Sequence, residues 1–387
     1  MADPLKILIF DESVVQRHLL SEIVSGLQDV EVVAVAATGK ITLAKLSQIK
    51  VDLILFDVGL TLDNPIEIMK KIGNGFPDVG MVTLSAQDSA SADLAIQTLE
   101  MGALDLLTKP DPAAGAAGRA EFKNQLEPIL RAFRGKKHVR LAKRLTEGVT
   151  PRSGTAARPP EPAASQPAPR KTAVPARTTP PARVEDPWKK FEVVGVGVST
   201  GGPNALAELI PLLPGDLGVP VLLVQHMPPT FTAALAASLD RKSALRVREG
   251  GEGMEILPNT VYIAPGGKHM VLQTGSAGPR IELNTDPPVN SCRPAVDVLF
   301  ESIAKVYKGP ILAVIMTGMG NDGVEGVRRM KKGRGCYCLT QTEDTCVVYG
   351  MPRAVDEAGL SDEKAPLGQL AARIEALIKK AAGNPGR

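Results

Sequence analysis

Aromatic side chains are scarce in this chain, with Phe, Trp and Tyr together at 3% of 387 residues. Nucleic-acid grooves combine clustered Lys and Arg on a folded face with rings on which bases stack, and the rings are missing. The cations are missing as well. The net charge is +3, but residues 134–190 hold 14 Lys and Arg against 4 Asp and Glu, which leaves about −7 for everything else. The folded parts are therefore acidic, and no nucleic-acid partner is expected. Cysteine is sparse too: Cys292, Cys336, Cys338 and Cys346 all lie in the C-terminal third, without a C-x-x-C pair or the two-pair spacing of a zinc site. They read as reduced, buried thiols. No apolar run approaches the roughly 18 residues of a membrane span, and Met1-Ala2-Asp3-Pro4 lacks the charged start of a secretory leader. A cytoplasmic protein without membrane insertion is expected.

The length suits two domains, each able to bury its own core. In the first half, short apolar runs at Ile7–Phe10, Val32–Val35, Leu53–Phe56, Val79–Leu84 and Leu104–Leu107 alternate with helical segments. This predicts a doubly wound, flavodoxin-like parallel sheet of order 2-1-3-4-5, with its functional groups beyond the carboxyl ends of the strands. A stretch rich in Pro and Ala follows, including Arg158-Pro159-Pro160-Glu161-Pro162, and reads as a solvated linker. A second α/β pattern starts at Phe191, with strands expected at Glu192–Val198, Val219–Gln225, Thr260–Ala264 and Ile311–Met316 and helices after the first and last of these. The expected division is a first domain over 4–134, a basic linker over 135–189 and a second, Rossmann-like parallel-sheet domain over 190–382.

Asp11 and Glu12 follow the first strand and Asp57 the third, which are neighbours in the expected order. Carboxylates so clustered repel one another unless a hard cation joins them, which suits Mg²⁺. Ser85 ends the fourth strand and Lys109 the fifth, where a hydroxyl and an ammonium would hold phosphoryl oxygens on a nucleophilic Asp57. Any one of these alone is an ordinary solvated loop residue; five at matching strand ends make a site. Lys6–Ser13, Asp57 and Leu107-Thr108-Lys109-Pro110 resemble the receiver domain of response regulators. The resemblance implies phosphorylation at Asp57, with Asp11 and Glu12 near the metal. It departs from the family at Glu12, where a second Asp is usual, at the turn Gly59-Leu60-Thr61, and at Leu106, where a switch aromatic is usual.

In the second domain, Gly197-Val198-Ser199-Thr200-Gly201 joins an apolar strand to the helical run Asn204–Leu213, a nucleophile's position. Free N–H groups at the start of that helix favour developing negative charge. A dinucleotide fingerprint would need glycine at Thr200 and an acidic residue about 20 positions on; both are missing. For a base, His226 ends the strand Val221–Gln225, whereas His269 follows the turn-like Pro265-Gly266-Gly267-Lys268. The carboxylate that orients the imidazole is Asp322, in the loop Thr317-Gly318-Met319-Gly320-Asn321-Asp322-Gly323. Its bland alternative is a helix N-cap, and both roles are compatible. The chain order Ser, His, Asp differs from the α/β-hydrolase order, so a different fold runs the same chemistry.

Spacing alone stops at a serine hydrolase. Gly197–Gly202, Gln225-His226-Met227-Pro228-Pro229 with Phe231-Thr232, and Met316–Gly323 resemble the chemotaxis protein-glutamate methylesterases. That resemblance implies hydrolysis of glutamate methyl esters on chemoreceptor cytoplasmic domains, with deamidation of receptor glutamines in some members. It further implies an oxyanion donor in the backbone N–H of Met319, support for the histidine from Thr200, and a receiver that covers the site until a chemotaxis histidine kinase phosphorylates it. Hydrolysis needs no cofactor; Mg²⁺ belongs to the receiver. A transcriptional regulator would instead carry a basic helix-turn-helix output, and residues 191–380 offer none.

Overall fold

The computed structural model describes residues 3–86, 88–147, 191–275, 278–333 and 335–381. The first domain comprises β1 (Leu5–Phe10), α1 (Val14–Ser25), β2 (Val30–Ala36), α2 (Gly39–Gln48), β3 (Leu53–Asp57), α3 (Pro65–Gly75), β4 (Gly80–Ser85), α4 (Ser89–Glu100), β5 (Asp105–Thr108) and α5 (Gly115–Glu147). Helix starts follow local chemistry. Ser13, Thr38, Asn64 and Asp88 each accept a backbone N–H of the first turn they precede, and Pro65 adds a preset φ to α3. The sheet order is β2-β1-β3-β4-β5, parallel throughout, as the sequence predicts. β3 and β4 are buried along their whole length, which is why they read as unbroken apolar runs. β2 extends beyond both ends of the expected Val32–Val35. The linker expected over 135–189 lies outside the described residues from 148 onward.

The second domain comprises β6 (Val193–Val198), α6 (Gly202–Leu209), β7 (Val221–Gln225), α7 (Phe231–Asp240), β8 (Arg246–Glu249), β9 (Thr260–Ile263), β10 (His269–Gly275), β11 (Gly278–Asn284), α8 (Val296–Val306), β12 (Ile311–Ile315), α9 (Val324–Lys332), β13 (Cys336–Gln341), α10 (Met351–Glu357), β14 (Glu363–Ala365) and α11 (Leu367–Ala381). Seven strands form a parallel sheet of order β14-β13-β12-β6-β7-β9-β8. The order reverses between β6 and β12, and that switch point is where an open α/β sheet leaves a crevice. The four expected strands are present, but β8, β13 and β14 escaped the sequence reading. β8 is a charged edge strand with one buried apolar side chain, Val247, and β13 ends in Thr340 and Gln341, buried by tertiary partners that no local pattern reveals. The antiparallel hairpin β10–β11 is an addition to the purely parallel plan. Among the described residues no helix is long and apolar enough to cross a membrane.

Candidate active site

Ser199 directly follows β6. Its N–H donates to the Thr317 carbonyl (3.0 Å), and its own carbonyl accepts from Gln225 Nε2 (3.0 Å) and the Gly202 N–H (2.7 Å). The sharp turn into α6 depends on Gly201, whose φ is +74°, where an added Cβ would lie 2.3 Å from Val347. The loop after β12 presses onto the same turn. A Cβ on Gly318 would approach Ser199 Cβ to 2.7 Å, so glycine at 318 lets this loop sit against the Ser199 turn. Thr317 locks the two loops together: Oγ1 donates to the Thr200 carbonyl (2.9 Å) and accepts from Val347 and Val348 N–H (3.0 and 3.1 Å), while its N–H donates to Gln341 Oε1 (2.8 Å).

His226 follows β7, and its Nε2–H donates to Asp322 Oδ2 at 2.8 Å. Asp322, 2% exposed, also accepts the N–H of Val296 (2.7 Å) on Oδ2, and on Oδ1 the N–H of Asp297 (3.0 Å) and Nδ2 of Asn290 (3.0 Å). It therefore does cap a helix, but the helix is α8 rather than α9, which follows it in sequence; Asp297 caps α9 in return through Gly323 and Gly326 N–H. Burial penalises the charged form of Asp322, yet the His226 hydrogen bond and charge outweigh it and hold the carboxyl below its usual range. Burial likewise opposes charge on His226, but its bonds to Asp322 and Cys292 win and raise the imidazole from 6.5 to about 9. The sulfur of Cys292 stands 3.5 Å from the other ring nitrogen, Nδ1. No hydrogen bond joins Ser199 to the His226 ring among the described residues, a looseness familiar in resting enzymes. Thr200 is tied in through its carbonyl, not by a bond from its hydroxyl to His226. His269 is the buried first residue of β10, its Nδ1 accepting the Ala295 N–H (3.3 Å): a satisfied structural histidine.

In the first domain Asp11 and Asp57 are buried, and Lys109 Nζ contacts Asp57 Oδ2 at 2.5 Å and Asp11 Oδ2 at 2.8 Å. Burial, then the neighbouring Asp11 charge, raise the Asp57 carboxyl despite Lys109. Such a pair is a hard-oxygen donor set short of positive charge, and it fits a divalent cation. Glu12 is turned aside: its carboxylate accepts from the N–H groups of Thr61 (3.0 Å) and Leu62 (2.8 Å), and from Thr61 Oγ1 (2.7 Å). Ser85 Oγ donates to the Ala86 carbonyl (3.1 Å) rather than to Asp57.

Residues 194–374 match the CheB methylesterase family, and residues 7–115 match the response regulator receiver domain. The protein-glutamate methylesterase/protein-glutamine glutaminase of Desulfotalea psychrophila is 38% identical over 97% of this chain and 99% of its own length. This chain belongs to the CheB methylesterase family. The relative of the same name from Trichodesmium erythraeum is 36% identical over 95% of this chain and 97% of its own. The crystal structure of the Thermotoga maritima CheB methylesterase catalytic domain is 40% identical, covering 49% of this chain and 99% of that one, at a TM-score of 0.47. This CheB-family hydrolase pairs a receiver with a methylesterase domain.

The receiver meets the methylesterase domain beside Ser199. Asp105 Oδ2 accepts the N–H of Gly201 (3.2 Å), and Asn204 Nδ2 donates to the Ala103 carbonyl (2.7 Å). α4 packs on α6 and α7, where Glu100 takes a hydrogen bond from Ser238 and an ion pair from Lys242 (2.6 Å). Burial raises the Asp105 carboxyl to about 7. Sequence reading missed Thr317, Gln225, Asn290, Cys292 and Asp105. Gln225 had a signal in its place beside His226 at a strand end; the others act through partners remote in sequence.

Proposed function

We infer that Ser199, His226 and Asp322 form the catalytic triad of a protein-glutamate methylesterase that also deamidates glutamine side chains. The observation that carries this reading is the 2.8 Å bond between His226 Nε2 and a buried Asp322 beside the Ser199 turn. Ser199 Oγ attacks the ester carbonyl as its proton passes to Nδ1 of neutral His226, and Asp322 stabilises the imidazolium that forms. His226 then protonates the leaving methoxide oxygen to release methanol, or the leaving amide nitrogen to release ammonia, and water repeats the sequence to free the carboxylate. The exposed Met319 lies in the loop pressed against Ser199, so its backbone N–H suits the oxyanion, with the start of α6 adding its dipole. Thr200 supports this turn through its link to Thr317.

The receiver accepts a phosphoryl group on Asp57 from a chemotaxis histidine kinase, with Mg²⁺ held by Asp11 and Asp57 and Glu12 close by. When bound, that cation neutralises the carboxylates and the phosphoryl oxygens. Lys109, already on Asp57, and Ser85, once its hydroxyl turns from Ala86, hold the phosphoryl oxygens. The substrates are methylated cytoplasmic domains of chemoreceptors, and the enzyme works in the cytoplasm. Methanol release from methylated receptor tests the assignment. Ser199→Ala, which fits the same turn, lowers it roughly a thousandfold or more, while full turnover by that variant removes Ser199 from the chemistry.

A further inference from the structure

Nε2 of His226 is committed to Asp322, so Nδ1 is the nitrogen that must serve Ser199. That nitrogen faces a thiol instead, Cys292 Sγ at 3.5 Å. The thiol is held there by the network that holds the imidazole: Val289 and Cys292 exchange backbone hydrogen bonds (3.1 and 2.9 Å), and Asn290 between them donates to Asp322 Oδ1 (3.0 Å) and Asp297 Oδ2 (2.9 Å). Asn290 and Ser291 adopt φ of +52° and +62°, the tight bend that turns Cys292 back toward the ring. Of the four cysteines Cys292 alone is half-buried. Burial pushes the Cys336 thiol up to about 12 and Cys338 well above its usual value, so neither supplies a competing thiolate.

Sγ, a ring nitrogen and an Asp322 oxygen lie within 4.8 Å of one another, which invites a metal reading. The carboxylate argues against it, because its two oxygens already take hydrogen bonds from His226, Val296, Asp297 and Asn290. A sulfur and one nitrogen remain, a reactive pair rather than a cage.

We propose that Cys292 and His226 form a thiol–imidazole pair through which hydroperoxides switch the esterase off. This rests on His226 being the base. The His226 imidazolium beside Sγ favours the thiolate, and the thiolate attacks the terminal oxygen of the hydroperoxide. The S–O bond forms as the O–O bond breaks, and the departing alkoxide or hydroxide takes up a proton and leaves as alcohol or water. Sulfur is oxidised by two electrons to the sulfenic acid, and the peroxide is reduced. The oxidised sulfur is bulkier and polar, and it occupies the approach from Nδ1 to Ser199. Besides Asp322 and Cys292, the charged group facing this pair is Asp297, through Asn290 and Asp322.

The test treats full-length protein with hydrogen peroxide and follows both hydrolysis and Cys292. Methanol release falls roughly tenfold, a sulfenic-acid trap labels Cys292 before the other cysteines, and dithiothreitol restores the rate. Cys292→Ala and Cys292→Ser, each compared with its own untreated rate, keep their activity. Iodoacetamide supplies a readout that needs no turnover: near neutral pH it alkylates Cys292 roughly tenfold faster in the native protein than in His226→Ala. Equal alkylation in those two proteins overturns the pair, as does equal peroxide inactivation of the Cys292 variants. Labelling is independent of Ser199, so it stands in Ser199→Ala whether or not the triad assignment does.

Discussion

A base must be neutral to take a proton, and in the resting enzyme burial opposes charge on His226 but its bonds to Asp322 and Cys292 outweigh it and hold the imidazolium up to about pH 9. Esterase kcat/KM should therefore rise with pH and level off near 9; a plateau already reached by pH 7 would show that the imidazole is not so held. The same shift acts oppositely on the fold. Because the folded value lies above the ordinary 6.5, the stability it contributes is complete below about 6.5 and disappears as pH rises through 9. Asp322→Asn keeps the shape but exchanges an acceptor-only group for an amide. The imidazolium loses its counter-charge, kcat falls by roughly 10⁴, and urea unfolding near neutral pH should show the lost stability.

At the scale of elements, the site is built at the carboxyl ends of β6, β7 and β12, and a buried threonine clamps the β6 loop to the β12 loop. Thr317→Val conserves shape but leaves the N–H groups of Val347 and Val348 and the Thr200 carbonyl without their hydroxyl partner. Buried groups so orphaned cost about 1–3 kcal/mol each. Denaturant unfolding of the variant should show at least about 2 kcal/mol of destabilisation, with kcat falling as the Met319 loop drifts from Ser199. An unchanged unfolding midpoint would mean the loops are held by the glycine contacts at 201 and 318 alone.

For the whole molecule, one domain stands against the nucleophile turn of the other. The Asp105 contact to the Gly201 N–H exists only when the receiver is docked, whereas the Lys242–Glu100 pair is half in solvent and contributes little. Asp105→Ala strips the buried Gly201 N–H of its acceptor only in the docked arrangement, whereas the bond from the Leu106 N–H is lost in both, so the unphosphorylated rate should rise severalfold. A fragment of residues 187–387 should exceed the unphosphorylated full-length rate by at least as much and ignore a small-molecule phosphodonor. A well-folded but slower fragment would mean the receiver assists catalysis instead of covering the site. Asp57→Asn should leave the basal rate in place and abolish stimulation by phosphodonor, measured in the same methanol assay.

The sequence by itself determined the strand-and-helix rhythm of both domains, because strands buried on both faces are spelled in unbroken apolar runs such as Leu53–Phe56 and Ile311–Ile315. It also set Ser199, His226 and Asp322 at the ends of such runs, and in a parallel sheet those ends share one edge. Only the tertiary structure decided how these side chains are employed. Asp322 caps α8 instead of α9, Glu12 binds Thr61 and Leu62, and Cys292 meets His226 across 66 positions of sequence. Strand β13 belongs to the same class, since its polar Thr340 and Gln341 are buried against partners elsewhere in the chain and leave no local periodicity. Asp105 is the extreme case: one carboxylate in a short strand, ordinary until docking of the two domains buries it against Gly201.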